Sequence, residues 1–197
     1  FMKLGIIGGM GPLATSYFME LIIRKTDVQK DQEHIEMVVL NDTKIPDRTK
    51  YILGYSDESP LEYLLNDIKI LENLNVNLIA IPCNTSMYIY DKLKNSTNIP
   101  VMNIVDDAGK YLEMKNAKKV MLLATEGTIK SRIYHNLLSN RSIEVVSYPD
   151  TDFVMDIIYN YVKKNVPVPQ EYLERIDTCI SDCDYVILGC TELSILK

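Results

Sequence analysis

Two cysteines lie in near-matching contexts. Cys83 follows Asn77-Leu78-Ile79-Ala80-Ile81-Pro82 and precedes Asn84-Thr85-Ser86. Cys190 follows Asp184-Tyr185-Val186-Ile187-Leu188-Gly189 and precedes Thr191-Glu192-Leu193-Ser194. Each context is an apolar run, a strand-breaking Pro or Gly, a thiol and then polar residues. A short apolar run that stops this way reads as a buried strand. Each thiol is therefore expected just past the carboxyl end of a strand, where ligands bind in open α/β sheets. Two thiols facing one pocket supply an acid and a base without a metal or an organic cofactor.

A cysteine placed there and followed by a helix feels the positive amino end of that helix. That is expected to lower the thiol from its free value of about 8.5 toward neutrality. Asn84, Thr85, Thr191 and nearby backbone N–H groups offer donors for a carboxylate or for developing charge. For either cysteine alone, a small buried residue is the simpler reading. The matched pair favours proton transfer from opposite faces of one carbon, with one group a thiolate and the other a thiol.

Other candidates carry less on their own. Gly8-Gly9-Met10-Gly11 follows a strand and opens a helix, but it lacks the spacing of a dinucleotide fingerprint and the Gly-Lys-Ser/Thr end of a phosphate loop. It reads equally as close backbone approach to a small ligand and as a simple tight turn. Arg48, in a polar loop, has a guanidinium able to fork onto a carboxylate, although an exposed charge is the plainer reading. Lys163 ends an expected helix, where the dipole stabilises a cation anyway. The remaining cysteines, Cys179 and Cys183, are four apart on an expected helix and read as buried small residues. With two histidines, His34 and His135, and no Cys-x-x-Cys pair, a zinc site is not expected.

These groups need a frame. The chain has 197 residues, 47% hydrophobic and 24% charged, as in soluble globular proteins. That length suits one large domain or two lobes with proper cores. The net charge of −6 and the scattered Lys and Arg argue against a nucleic-acid partner. The cluster Lys115, Lys118 and Lys119 reads as a solvated edge. No apolar stretch reaches membrane-span length. No charged-then-apolar leader precedes the first strand, so no export, a cytoplasmic location and no disulfide framework are the expectation.

Strands are expected at Lys3–Gly8, 35–40, the run before Cys83, 101–105, 120–124, 143–147 and the run before Cys190. Helices are expected from Pro12 to about Arg24, from Ser59-Pro60-Leu61-Glu62 onward with Ser59 as cap, and after Cys83. Further helices are expected through Ile129, Ile133 and Leu137, over 154–163 and over 171–181. The stretch 41–54 reads as irregular. Alternation of strand and helix implies parallel sheets with right-handed crossovers. Ile6-Ile7-Gly8-Gly9-Met10-Gly11 and Leu122-Leu123-Ala124-Thr125-Glu126-Gly127 open two halves of similar plan. Two α/β lobes are expected, 1–105 with the first cysteine and 106–197 with the second.

Five motifs in order resemble the aspartate/glutamate racemase family, and its aspartate branch in particular. They are Gly8-Gly9-Met10-Gly11-Pro12-Leu13-Ala14-Thr15, Ile45-Pro46-Asp47-Arg48-Thr49, Pro82-Cys83-Asn84-Thr85, Ala124-Thr125-Glu126-Gly127-Thr128 and Gly189-Cys190-Thr191-Glu192. The resemblance implies two pseudo-symmetric lobes, each a parallel sheet flanked by helices, with the site in the cleft between them. It implies cofactor-independent racemisation of aspartate with Cys83 and Cys190 as the two bases. Arg48 and Lys163 would bind the substrate carboxylates, and Met10, Asn84, Thr85, Thr125, Thr128 and Thr191 would line the pocket. It further implies a homodimer. The glutamate branch typically has Asp-Ser-Gly after the first strand and a His after Gly-Cys-Thr, where this chain has Gly9-Met10-Gly11 and Glu192. Family members continue past the second cysteine motif, so the tail here reads as short or truncated.

Three readings stand. The first is an aspartate racemase. The second is a related racemase or isomerase acting on glutamate, hydantoin, maleate or another dicarboxylate, among which Arg48 and Lys163 discriminate by suiting a dicarboxylate. The third is a non-catalytic dicarboxylate-binding module or a thiol redox protein, distinguished by binding without α-proton exchange or by a reversible disulfide.

Overall fold

The computed structural model describes residues 2–178 and 182–196. The chain divides into two compact units, one ending at Asn103 and the other beginning at Ile104. Both are α/β, each with a three-stranded parallel sheet flanked by helices.

In the first unit the run Lys3–Gly8 forms β1 and Glu36–Asn41 forms β2. The short β3 spans Leu78–Ala80, and the sheet order is β2-β1-β3. In register, Ile6 lies opposite Val39 and Ala80. Alternation along β1 decides what covers each face. Leu4 and Ile6 pack with Phe18, Met19 and Ile22 of α1, Pro12–Lys25. On the other face a Cβ at Gly5 would meet Leu71 and Val76, because α3, Leu61–Asn73, packs there. Leu64, Ile68 and Leu71 give α3 its buried stripe, each stabilising the fold by roughly 1.5–3 kcal/mol. Pro12 at the first turn of α1 matches its fixed φ to the helix. The Ser59 hydroxyl accepts the Leu61 N–H at 3.2 Å as α3 begins.

Two expectations fail in this unit. The stretch 41–54 is not wholly irregular, since α2 spans Arg48–Leu53. Asp47 caps it by accepting the Lys50 N–H, and Gly54 ends it with φ +77°. The strand expected at 101–105 is a single bridge between Ile79 and Val101. The Pro100 carbonyl accepts the Ile79 N–H at 2.9 Å and the Met102 N–H donates to the Ile79 carbonyl at 2.8 Å, and the pairing goes no further. From Ile104 the chain is already α5, Ile104–Met114. After Cys83 the chain forms a 3-10 turn, Thr85–Ile89, and then α4, Tyr90–Lys94.

The second unit repeats the order as β5-β4-β6, with β4 Lys119–Leu123, β5 Glu144–Ser147 and β6 Tyr185–Leu188. The helix expected through residues 129–137 is two helices, α6 Glu126–Ser131 and α7 Ile133–Ser139. Arg132 separates them with φ 55°, in the left-handed region that ends a helix. The helix expected over 154–163 is composite: α8 Thr151–Asp156, a π turn Ile157–Tyr161 and a 3-10 turn Val162–Lys164. Phe153, Val154, Ile157, Ile158 and Val162 bury one side of this segment against Leu123, Leu193 and Cys190. α9 spans Gln170–Thr178. The expected face shared by Cys179 and Cys183 lies outside the described residues at Cys179. Among the described residues no helix is long and apolar enough to cross a membrane.

Candidate functional site

Each unit gathers its own set of the residues singled out by sequence. In the first unit Cys83 lies three residues past β3 and is 5% exposed. Its N–H donates to the Ile81 carbonyl at 2.7 Å, which turns the chain sharply at Pro82. Asn84, Thr85 and Ser86 are buried behind it. Ser86 Oγ donates to Met10 Sδ at 3.5 Å, tying the loop after β3 to the loop after β1. Gly9 in that second loop has φ +90°, and a Cβ there would lie 2.4 Å from the Asp42 carbonyl. Only glycine allows the chain past β2 at this point.

Arg48 sits at the start of α2 and is 7% exposed, not the exposed charge that its sequence context alone favours. Nη1 donates to the carbonyls of Pro46 at 2.8 Å and Ile45 at 3.1 Å, and Nη2 donates to the Met10 carbonyl at 3.4 Å. Three backbone acceptors thus hold the guanidinium plane. Tyr88 belongs to the same cluster. Its hydroxyl has no hydrogen-bond partner among the described residues, and its ring lies 6.3 Å from that of Tyr51. Burial chiefly, then Tyr51, push the phenol up to about 12, while the Arg48 charge opposes them. Met10 and Arg48 are therefore joined by a direct contact, and Met10 and Ser86 by another.

In the second unit Cys190 lies two residues past β6 and is 7% exposed. The Gly189 N–H donates to the Leu123 carbonyl at 2.7 Å, which sets Cys190 beside the end of β4. Thr125 follows β4 and caps α6, accepting the Thr128 N–H at 3.3 Å. The Thr125 and Thr128 hydroxyls are 3.2 Å apart, and both residues are buried. Cys190 Sγ donates to Glu192 Oε2 at 2.8 Å. Thr191 Oγ1 donates to the same oxygen at 3.4 Å. Lys163 Nζ lies 3.6 Å from Glu192 Oε1 and 4.9 Å from the centre of the Tyr159 ring. Lys163, Glu192, Cys190 and Thr191 thus form one cluster.

The electrostatics of Cys190 correct a sequence expectation. Its thiol is pushed well above the usual range, not toward neutrality. Burial is the larger cause and the Glu192 carboxylate the next, with Lys163 opposing. The turn that follows, Leu193–Ile195, is a single 3-10 turn rather than an α-helix. It supplies little of the dipole that the expectation required. Glu192 was not among the expected site residues. Its signal was an acid two positions from a cysteine, at a point where the chain turns inward.

Comparisons with known proteins bear on these clusters. The family described as Asp/Glu/Hydantoin racemase matches residues 7–197. The solved aspartate racemase of Picrophilus torridus is 34% identical, superposes with a TM-score of 0.91, and is matched over 84% of its length by 100% of this chain. The broad specificity amino-acid racemase RacX of Bacillus subtilis is 27% identical over 97% of this chain and 86% of its own. A glutamate racemase of Aquifex pyrophilus is 28% identical over 100% of this chain and 73% of its own.

Proposed function

The chain belongs to the Asp/Glu/hydantoin racemase family, and on that premise we propose that it interconverts L- and D-aspartate by proton transfer between two cysteines at the α-carbon. The observation that carries this reading is the equivalence of Cys83 and Cys190. Each is buried and lies just beyond the strand flanking β1 or β4 at the corresponding place in a 2-1-3 sheet order.

In the proposed reaction one sulfur, as thiolate, takes the α-proton and becomes a thiol. The other sulfur, as thiol, gives its proton to the opposite face of the α-carbon and becomes a thiolate. The reverse reaction exchanges these roles. The α-proton is weakly acidic, so positioned donors must stabilise the carbanion-like transition state. Arg48 suits one carboxylate because its plane is already fixed by three carbonyls. Lys163 suits the other carboxylate by sharing its charge between Glu192 and substrate. Met10, Asn84, Thr85, Thr125, Thr128 and Thr191 are assigned to the pocket wall.

Aspartate is favoured over glutamate by the 34% identity to the Picrophilus enzyme, while Arg48 and Lys163 suit a dicarboxylate of either length. The relatives named as glutamate and broad specificity racemases make a wider substrate range the second reading. The test is chiral chromatography after incubation with aspartate, glutamate and an apolar amino acid. Aspartate should be racemised fastest. Cys83→Ala and Cys190→Ala should each slow it by at least about 100-fold, the usual contribution of a general acid or base. Near-normal turnover by either variant would rule out the two-base scheme.

A further inference from the structure

Glu192 enters the scheme above only by sharing the charge of Lys163, yet it also accepts a hydrogen bond from the Cys190 thiol. Its side chain is 3% exposed. Oε2 accepts the thiol proton at 2.8 Å, and Oε1 is buried with no hydrogen-bond partner among the described residues. The nearest cation, Lys163 Nζ, stands 3.6 Å from Oε1, beyond hydrogen-bond reach.

We propose that Glu192 is a positioning residue that holds Cys190 in the thiol form and aims its S–H, so that in the free protein Cys190 is the proton donor and Cys83 the acceptor. The assignment of donor and acceptor rests on the racemase reading; the hold of Glu192 on the thiol does not. A thiolate at Cys190 would place a second negative charge 2.8 Å from a buried carboxylate. The groups that face the sulfur weigh toward the neutral form. Burial and Glu192 push the thiol up, and Lys163 pulls it down. Tyr134 is a buried phenol, itself pushed up by burial and then by Cys190, and offers no positive charge.

The donating step balances simply. The Cys190 S–H bond breaks, a C–H bond forms at the α-carbon, and a thiolate remains beside Glu192. Repulsion between these two anions makes that state short-lived. It ends when the sulfur takes a proton from a substrate α-carbon or from water.

The test is the pH profile of alkylation by iodoacetamide, read at each cysteine by peptide mass spectrometry on the full chain without substrate. The apparent pKa comes from the shape of the profile, so differences in access to the sulfur do not enter. Glu192→Gln keeps the shape of the side chain and removes the charge. It should move the Cys190 profile down by about one unit or more, a tenfold rise in thiolate at a given pH. Glu192→Asp should restore the profile toward wild type. Lys163→Met, which removes the opposing cation, should move it up, and this arm stands even if Glu192→Gln fails to fold. An unchanged or upward Cys190 profile in folded Glu192→Gln, or a downward one in Lys163→Met, would overturn the proposal. Wild-type protein that fails to exchange the aspartate α-proton would instead sink the racemase reading and leave the thiol–carboxylate pairing standing.

Discussion

Replacing Asp67 with asparagine should stabilise the protein at neutral pH and abolish a pH dependence below it. Asp67 lies on the buried face of α3 with Leu64, Ile68 and Leu71, and is 3% exposed. Its Oδ2 has no hydrogen-bond partner among the described residues. Burial first, and the Asp42 carboxylate second, push its pKa from 3.8 up to about 6. A shift of that size corresponds to about 3 kcal/mol, and solvent screening reduces it to roughly 1–3 kcal/mol. Well below pH 3.8 the group is protonated in both folded and unfolded chains and contributes no penalty. As pH rises from 3.8 to about 6, the unfolded chain releases the proton and the folded chain retains it, so stability falls. Above about 6 the folded protein carries the full cost of a buried carboxylate. Asp67→Asn keeps the shape and removes the titration. Urea denaturation of both proteins at pH 4, 5, 6, 7 and 8 isolates the effect as a difference of unfolding free energies. The variant's advantage should grow by roughly 1–3 kcal/mol between pH 4 and pH 7 and then level off. A difference that is flat with pH, or larger at pH 4, would refute this reasoning.

Two further substitutions probe the first unit. Arg48→Lys keeps a positive charge but cannot reproduce the fork onto Ile45, Pro46 and Met10. It should cost about 1–3 kcal/mol in urea denaturation and raise KM for aspartate at least about tenfold; an unchanged KM would remove Arg48 from carboxylate binding. Gly9→Ala forces a Cβ to 2.4 Å from Asp42 at φ +90°. It should destabilise the protein by more than about 2 kcal/mol, and a thermal melt unchanged from wild type would show that the loop relaxes freely.

The alternation of strands and helices was legible because the strand runs among the described residues are apolar, short and bounded by Gly, Pro or polar residues. The two-lobed pattern was legible for the same reason, since each run before a cysteine ends in a residue that stops pairing. Helix α2 was legible in principle, from Asp47 at its start and Gly54 at its end. Its six residues carry no sustained apolar period that would mark them as a helix. The break at Arg132, with φ 55°, and the π turn at Ile157–Tyr161 leave no composition signal. Arg48 and Lys163 carried weight only through resemblance, since a charge in a loop or at a helix end has a plain explanation. Burial of Arg48 against three carbonyls is a tertiary fact. The same holds for Glu192, whose importance lies in a 2.8 Å contact made only when the chain turns after β6.

The central claim is α-proton exchange without net change of the amino acid, and heavy water reads it directly. Wild-type protein incubated with L-aspartate in deuterium oxide should yield D-aspartate carrying deuterium at the α-carbon, while Cys83→Ala and Cys190→Ala yield none above background. Folded wild-type protein that leaves the α-proton of L-aspartate in place would contradict the account.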